Sequence, residues 1–441
     1  MALSIAAAIQ RIKSGVSDWL SPETIQQICR DRGHQWRERI LDPVTTVHLF
    51  ALQILHGNAA CSHVPRLANV DCTGEAYGQA RSRIPLDVFR GLLAHITKRL
   101  PVSSADEGRW RGHRTFLIDG SNTSMPDTPA LQKKYGQPGA QAPGCGFPLM
   151  HLMALFQAST GFLVSIVSAP YRTHDMPQAK QTHSSLEAND ILVGDRGLSS
   201  FVHLALLGLR GVFGLFRTHQ QQLVNFRPGR RHATKETRKR KEKGLPTSRW
   251  VKRLGQHDQL VEYVKPRERP KWVTAEDYAA LPEVVLVREV RYSIRIPGRR
   301  TQQVTLTTTL LDPVKYPAAA LAELYGRRWE IETNFDHLKT TLKMDVLHCK
   351  TVEGVEKELT MYALVYNLIR LVMLEGSRRQ GVAVERISFA DAARWLCQAI
   401  STPPFWETAS ALGRGFFIPC GSNAPSPHCD AVERPSTEVL N

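Results

Sequence analysis

Two short apolar runs, RTFLIDG at 114–120 and DILVGDRG at 190–197, each break off at an aspartate with a glycine close behind. Runs this short, bounded by charge and glycine, read as buried strands rather than helices. The pattern around them keeps switching. LMHLMALFQ and FLVSIVSAP flank ASTG and read as a hairpin, LSSFVHLALLGLR reads as a helix, and GVFGLFRT reads as a strand. The order strand, strand, strand, helix, strand, helix, strand predicts an α/β fold: a mixed sheet flanked by helices.

Upstream, apolar stretches at 2–13, 22–30, 43–56 and 86–100 recur at helical spacing, and SPET is a good helix start. GEAYGQARSRIP carries Arg81 and Arg83 on a polar face, open to two readings, a solvated face or phosphate contact. Downstream of residue 217 the α/β pattern breaks. Residues 227–253 hold twelve Lys or Arg against two Glu, with RKRKEK at the centre. Such a block is usually a solvated loop, but inside an α/β region it reads as a DNA-facing element. PEVVLVREVRYSIRI and QQVTLTTTLL then alternate as paired strands, helix resumes near Pro317, and a second helix covers 352–374. The final segment, from Cys420, has the composition of a disordered tail.

Lys plus Arg number 57 against 41 acids, a formal charge of +16, which favours a polyanionic partner, nucleic acid first. The N-terminus lacks the order of a signal peptide, and no uninterrupted apolar run reaches bilayer length, so no membrane partner is expected. Cys29, Cys61, Cys72, Cys145, Cys349, Cys397, Cys420 and Cys429 form no CxxC pair and read as reduced thiols of a cytoplasmic protein.

The densest chemistry lies in YGRRWEIETNFDHLKTTLK, 325–343. On a regular helix Tyr325, Arg328, Glu332 and Lys339 fall within an arc of about 60°. Leu324, Ile331, Phe335, Leu338 and Leu342 form an apolar stripe centred roughly 70° away. The polar stripe should therefore sit at the rim of a packed face. Glu330 points elsewhere, Asp336 lies near the stripe, and an Arg328–Glu332 surface pair is the bland alternative. Asp119 and Asp195, at the ends of their apolar runs, sit where α/β sheets commonly build ligand sites. With Glu332 they are expected to hold two Mg²⁺ ions about 3.5–4 Å apart, one activating a water or 3′ hydroxyl and one stabilising the leaving oxygen. Arg328 and Lys339 would grip phosphate, with Tyr325 alongside. Asp190 stands at the wrong end of its strand, and Asp127 is a candidate supporting residue.

Tyr325, Arg328, Glu332 and Lys339 match Y-x₂-R-x₃-E-x₆-K, and the chain resembles the bacterial insertion-sequence DDE transposases with a YREK motif, insertion-sequence family four. LIDGSNTSMPDT and ILVGDRG look like that family's first and second catalytic regions, and HCKTVEGVEKELTMYALVYNLIR and AYGQARSRIP are similar to other segments of it, so the resemblance covers most of 70–375. It implies an RNase-H-like catalytic domain (106–217 and 316–376), a β-rich basic insertion (218–315), an N-terminal helical DNA-binding domain (1–105) and a C-terminal helical region (377–419) before the tail (420–441). It also implies cut-and-paste transposition dependent on Mg²⁺, with Mn²⁺ as a substitute. The enzyme would be a homodimer holding double-stranded DNA, both terminal inverted repeats and target, in the bacterial cytoplasm beside the nucleoid. Carried over, Asp119, Asp195 and Glu332 are the metal-binding triad, and Tyr325, Arg328 and Lys339 contact the transposon end. Arg238, Lys239, Arg240 and Lys241 of the basic block and Trp250 join the DNA contacts. Some relatives excise through a DNA hairpin with a flipped base stacked on tryptophan, for which Trp250 and Trp272 are the equivalents to consider. Two rival readings stand beside this one: a metal-dependent nuclease that never joins ends, and a DNA-binding protein without catalysis.

Overall fold

The computed structural model describes residues 19–99, 108–139, 142, 146–234, 237, 242–295, 302–400 and 436–438. The N-terminal part is helical because each segment carries its own start signal. Ser21 caps Pro22–Asp31, Asp42 caps Pro43–Leu55 with proline in the first turn, and Thr73 caps Gly74–Arg83; Leu86–Arg99 follows. The apolar stretch at 2–13 lies outside the described residues.

Among the described residues ten strands build one continuous sheet, nine of them in its main path: β1 (Thr115–Ser124), β2 (Leu149–Gln157), β3 (Leu163–Pro170), β4 (Ile191–Gly194), β5 (Phe213–Arg217), β6 (Arg249–Gly255), β7 (Asp258–Val264), β8 (Val284–Arg295) and β9 (Gln302–Thr308). The order is β3-β2-β1-β4-β5-β9-β8-β7-β6. β2 and β3 are the expected hairpin, β1 runs antiparallel to β2, and β1, β4 and β5 are parallel. The mixed α/β architecture is as the sequence order requires.

Period-two alternation sorts the strand residues onto two cores. Leu117, Ile191, Val193 and Leu215 face a core closed by the long helix Val352–Gln380, while Phe116, Ile118, Leu192 and Phe216 face the helix Phe201–Leu209. Val352–Gln380 is long and apolar enough to span a bilayer, yet most of its residues are buried inside the protein. Thr351 caps it, and Gly381 ends it in the left-handed region at φ 62°.

The stretch 218–315 is strand-rich, as expected, but its strands extend the same sheet. β9 pairs antiparallel with β5, so the edge that β5 would otherwise expose is covered. A buried polar network seals the seam: Thr218 bonds Thr307, and Tyr263 bonds both Thr307 and Glu289. The basic block is only partly solvated. Arg230 is buried, donating to the Asn225 and Ser248 carbonyls, and Arg231 pairs with Glu242 at 2.9 Å. Arg238, Lys239, Arg240 and Lys241 lie outside the described residues. Of the tail expected to be disordered, Ser436–Glu438 instead form a short strand, β10, along β8; the rest of 401–441 is outside the described residues.

Candidate active site

Strand register brings the two aspartates together. Ile118 of β1 pairs with Gly194 of β4, so the next residues on each, Asp119 and Asp195, are neighbours. Adjacent strands lie about 4.8 Å apart. Parity puts both on the face of Leu117 and Val193, the face that carries the glutamate helix. Gly194 faces the opposite core, where a Cβ would sit 2.9 Å from a Leu198 methyl and 3.0 Å from an Ile118 methyl, so a larger residue would have to displace both.

The expectation that Asp119 ends its strand is corrected. β1 runs five residues further, through Ser124, because Asn122, Thr123 and Ser124 pair with β2 after β4 has stopped. Asp195 does stand just past the end of β4, in extended conformation.

The glutamate segment is not one regular helix. Ala318–Gly326 and Glu330–Asp336 are α-helical, Arg327–Trp329 is a tighter 3₁₀ turn, and His337–Thr341 is a wider π turn. The apolar stripe packs as predicted, with Leu324, Ile331, Phe335, Leu338 and Leu342 all buried. The polar stripe reaches the strand acids. The Tyr325 hydroxyl lies 3.4 Å from Asp195 Oδ1. Arg328 reaches Asp119 at 3.3 Å with one guanidinium nitrogen and Glu332 at 3.6 Å with the other. The Arg328–Glu332 surface pair is therefore present, and Arg328 contacts Asp119 as well. Arg328 is 13% exposed and held, whereas Glu332 is 55% exposed and free to swing. Lys339, within the π turn, pairs instead with Asp345 at 3.7 Å.

The Asp119 carboxyl is raised above the ordinary range, first by burial and then by the negative charges of Asp195 and Asp175; the Gly120 N–H and Arg328 offset this in part. Burial pushes the Tyr325 phenol up to about 12, with Asp195 adding to it against Arg328, so it stays a hydrogen-bond donor at neutral pH. Among the described residues no three His, Cys, Asp or Glu side chains converge closely enough to grip one ion. The donor set nevertheless suits one. The carboxylates are hard oxygen donors, and a divalent cation between Asp119 and Asp195 would offset the repulsion between these two neighbouring acids.

The other sequence candidates have local surroundings of their own. Asp190 accepts a bidentate pair from Arg114 at the far end of β4. Asp127 accepts from Gln132, Glu330 pairs with Arg327 at 2.9 Å, and Asp336 accepts from Thr340. Trp250 lies on the edge strand β6 with its indole nitrogen buried and unbonded, while Trp272 is half-buried against the second core.

Sequence reasoning missed three residues. Arg217 follows Phe216, the register partner of Gly194, and so stands beside Asp195 in the same row; it follows GLF as the acids follow their runs, and that was the signal. Asp175 and His151 bond each other at 2.8 Å next to Gly120, where a Cβ would meet the His151 ring at 3.0 Å. Nothing in their spacing marks them.

The family described as transposase DDE domain matches residues 110–368. The transposase InsG for insertion sequence element IS4 of Escherichia coli (strain K12) is 23% identical over 328 residues, 74% of this chain and 66% of that protein. The putative transposase InsZ of the same organism is 26% identical over 164 residues, 35% of this chain and 55% of its own length. The chain thus spans just under two thirds of the first relative and about half of the second. The cryo-EM structure of piggyBac transposase synaptic complex with hairpin DNA is similar over 92% of this chain and 80% of that one, at 8% identity and a TM-score of 0.45, a likeness too loose to decide anything.

Proposed function

The chain belongs to the transposase DDE domain family and is similar to insertion-sequence IS4 transposases; from that premise we propose that it cuts DNA at the ends of a mobile element and joins those ends to a target. The observation that carries the reading is the register pair Asp119–Asp195, with one helix delivering Tyr325 to the second acid and Arg328 to the first. Asp119, Asp195 and Glu332 would hold divalent metal, Mg²⁺ or Mn²⁺. When bound, the metal supplies Lewis acidity that makes water or a 3′ hydroxyl nucleophilic near neutral pH.

The chain's own side chains do the rest. Glu332 moves off Arg328 to complete the acid set. The freed Arg328 guanidinium, already held over Asp119, then grips a phosphate oxygen in a fork. Arg217 adds charge beside Asp195, Lys339 would reach the phosphate by leaving Asp345, and Tyr325 donates to hold Asp195 in place. We read the five strands β1–β5 as an RNase-H-like core, and the active assembly as two chains pairing two duplex ends.

A strand-transfer assay tests this with a pre-cleaved terminal duplex, a supercoiled target plasmid and Mg²⁺. The expected result is a covalently joined product that disappears when EDTA replaces the metal. Hydrolysis without joining would assign a nuclease, and DNA binding with neither product would assign a non-catalytic binder; either outcome overturns the proposal.

A further inference from the structure

A carboxylate outside the metal-binding triad lies against the backbone of both strand acids. Asp175 is the first residue of the helix Asp175–Thr182. Its Oδ1 would stand 3.4 Å from a Cβ at Gly120, and its Oδ2 3.5 Å from a Cβ at Gly197. Gly120 follows Asp119, and Gly197 stands two residues past Asp195. The two glycines leave a notch between the acid-bearing segments, and the Asp175 carboxylate sits in it.

His151 fixes the carboxylate there. It lies on β2, opposite Asn122 of β1. Its Nε2 is 2.8 Å from Asp175 Oδ1 and its Nδ1 2.9 Å from Asn122 Oδ1, so the ring ties Asp175 to the strand that carries Asp119. The Gly120 N–H in turn donates to Asp119 Oδ1 at 2.8 Å. Whatever holds Gly120 in place therefore helps to aim the Asp119 carboxylate.

The Asp195 side is framed by the same helix. Asp195 opens the 3₁₀ turn Arg196–Leu198, whose Gly197 faces Asp175. The Leu198 carbonyl accepts from His203 Nδ1 at 2.8 Å. His203 Nε2 lies 3.0 Å from Nε2 of His183, the residue that follows the helix. Burial holds both rings well below the ordinary histidine range. They are neutral at neutral pH, and the donor order runs from His183 to His203 to the carbonyl. The turn after Asp195 is thus held from both ends of the helix Asp175–Thr182.

We propose that Asp175 and His151 are positioning residues for the cation site: seated between Gly120 and Gly197, the Asp175 carboxylate sets the separation of Asp119 and Asp195. The inference rests on those two acids binding metal. Asp175 acts through the backbone and takes no place on the ion. An amide of the same shape should therefore serve where a truncated side chain does not.

The test titrates Mn²⁺ calorimetrically into the full chain without DNA. Asp175→Ala and His151→Ala should each weaken Mn²⁺ binding by about tenfold or more, the usual scale for groups that orient metal ligands. Asp175→Asn, which keeps an oxygen for His151, should stay close to the wild type. Affinity for a terminal duplex in EDTA should be unchanged in all three. An Asp175→Asn chain as weak as Asp175→Ala would give Asp175 a direct charge or ligand role and overturn the proposal. Unchanged Mn²⁺ affinity in both alanine chains overturns it as well. So does a loss of DNA affinity in step with Mn²⁺, because the two residues would then hold the fold and not the site. The readings fail separately. A wild type whose Mn²⁺ site vanishes on Asp119→Asn but ignores Asp175→Ala sinks only the positioning role. A chain that shows the full Mn²⁺ pattern yet neither cuts nor joins DNA sinks only the transposase reading.

Discussion

Asp195→Asn is expected to cut end cleavage and strand transfer by about 10³-fold or more while DNA affinity holds or rises. Removing one carboxylate from a metal-assisted site forfeits several kcal/mol of transition-state charge stabilisation, and each 1.36 kcal/mol is a factor of about ten. Binding moves the other way because Asp195, beside Asp119, repels phosphate; asparagine keeps the shape and removes that charge. Gel-shift titration alongside the cleavage assay checks both halves. A variant that cuts at the wild-type rate contradicts the site assignment. One that loses binding and cleavage together points to damaged structure.

The second large effect is on stability, at Glu358. This residue is fully buried in the long helix. Its carboxylate accepts from the Asn58 side chain at 2.5 Å, the His348 N–H at 2.8 Å and the Cys349 N–H at 2.9 Å. It therefore joins the N-terminal helices, the segment after the glutamate helix and the long helix at one point, and its charge also favours the buried Arg81 cation. Glu358→Ala leaves three donors unmatched and Arg81 without its counter-charge, at a cost of about 3–5 kcal/mol. The expected result is a melting temperature lower by roughly 5 °C or more. Glu358→Gln, which keeps one acceptor oxygen, should lose less. A Glu358→Ala chain that melts with the wild type would show that the three elements are held together by apolar packing alone.

Much of the site was legible because its chemistry follows local rules. The run before Asp195 is short and apolar because β4 is a central parallel strand buried on both faces, and the apolar stripe from Leu324 to Leu342 packs as the helical period demands. What escaped the sequence depends on pairing or on irregular backbone. The apolar run stops at Asp119 and suggests a strand end there, yet polar residues extend a strand readily when one neighbour continues to pair. A uniform helical wheel places Lys339 beside Glu332, but the π turn at 337–341 changes the rotation between them, and Lys339 meets Asp345. The docking of β9 on β5 and the burial of Arg81 are long-range events. Their partners lie about ninety residues away for β5 and 268 for Arg81–Cys349, and composition carries no trace of either.

The central claim is that Asp119 and Asp195, neighbours by strand register, form one cation site that Glu332 completes. Manganese binding measures it directly, by electron paramagnetic resonance of free Mn²⁺ titrated into the full chain without DNA. The wild type is expected to show a saturable site that is lost on Asp119→Asn and on Asp195→Asn, and weakened on Glu332→Gln. Mn²⁺ affinity unchanged by both aspartate substitutions would contradict the account.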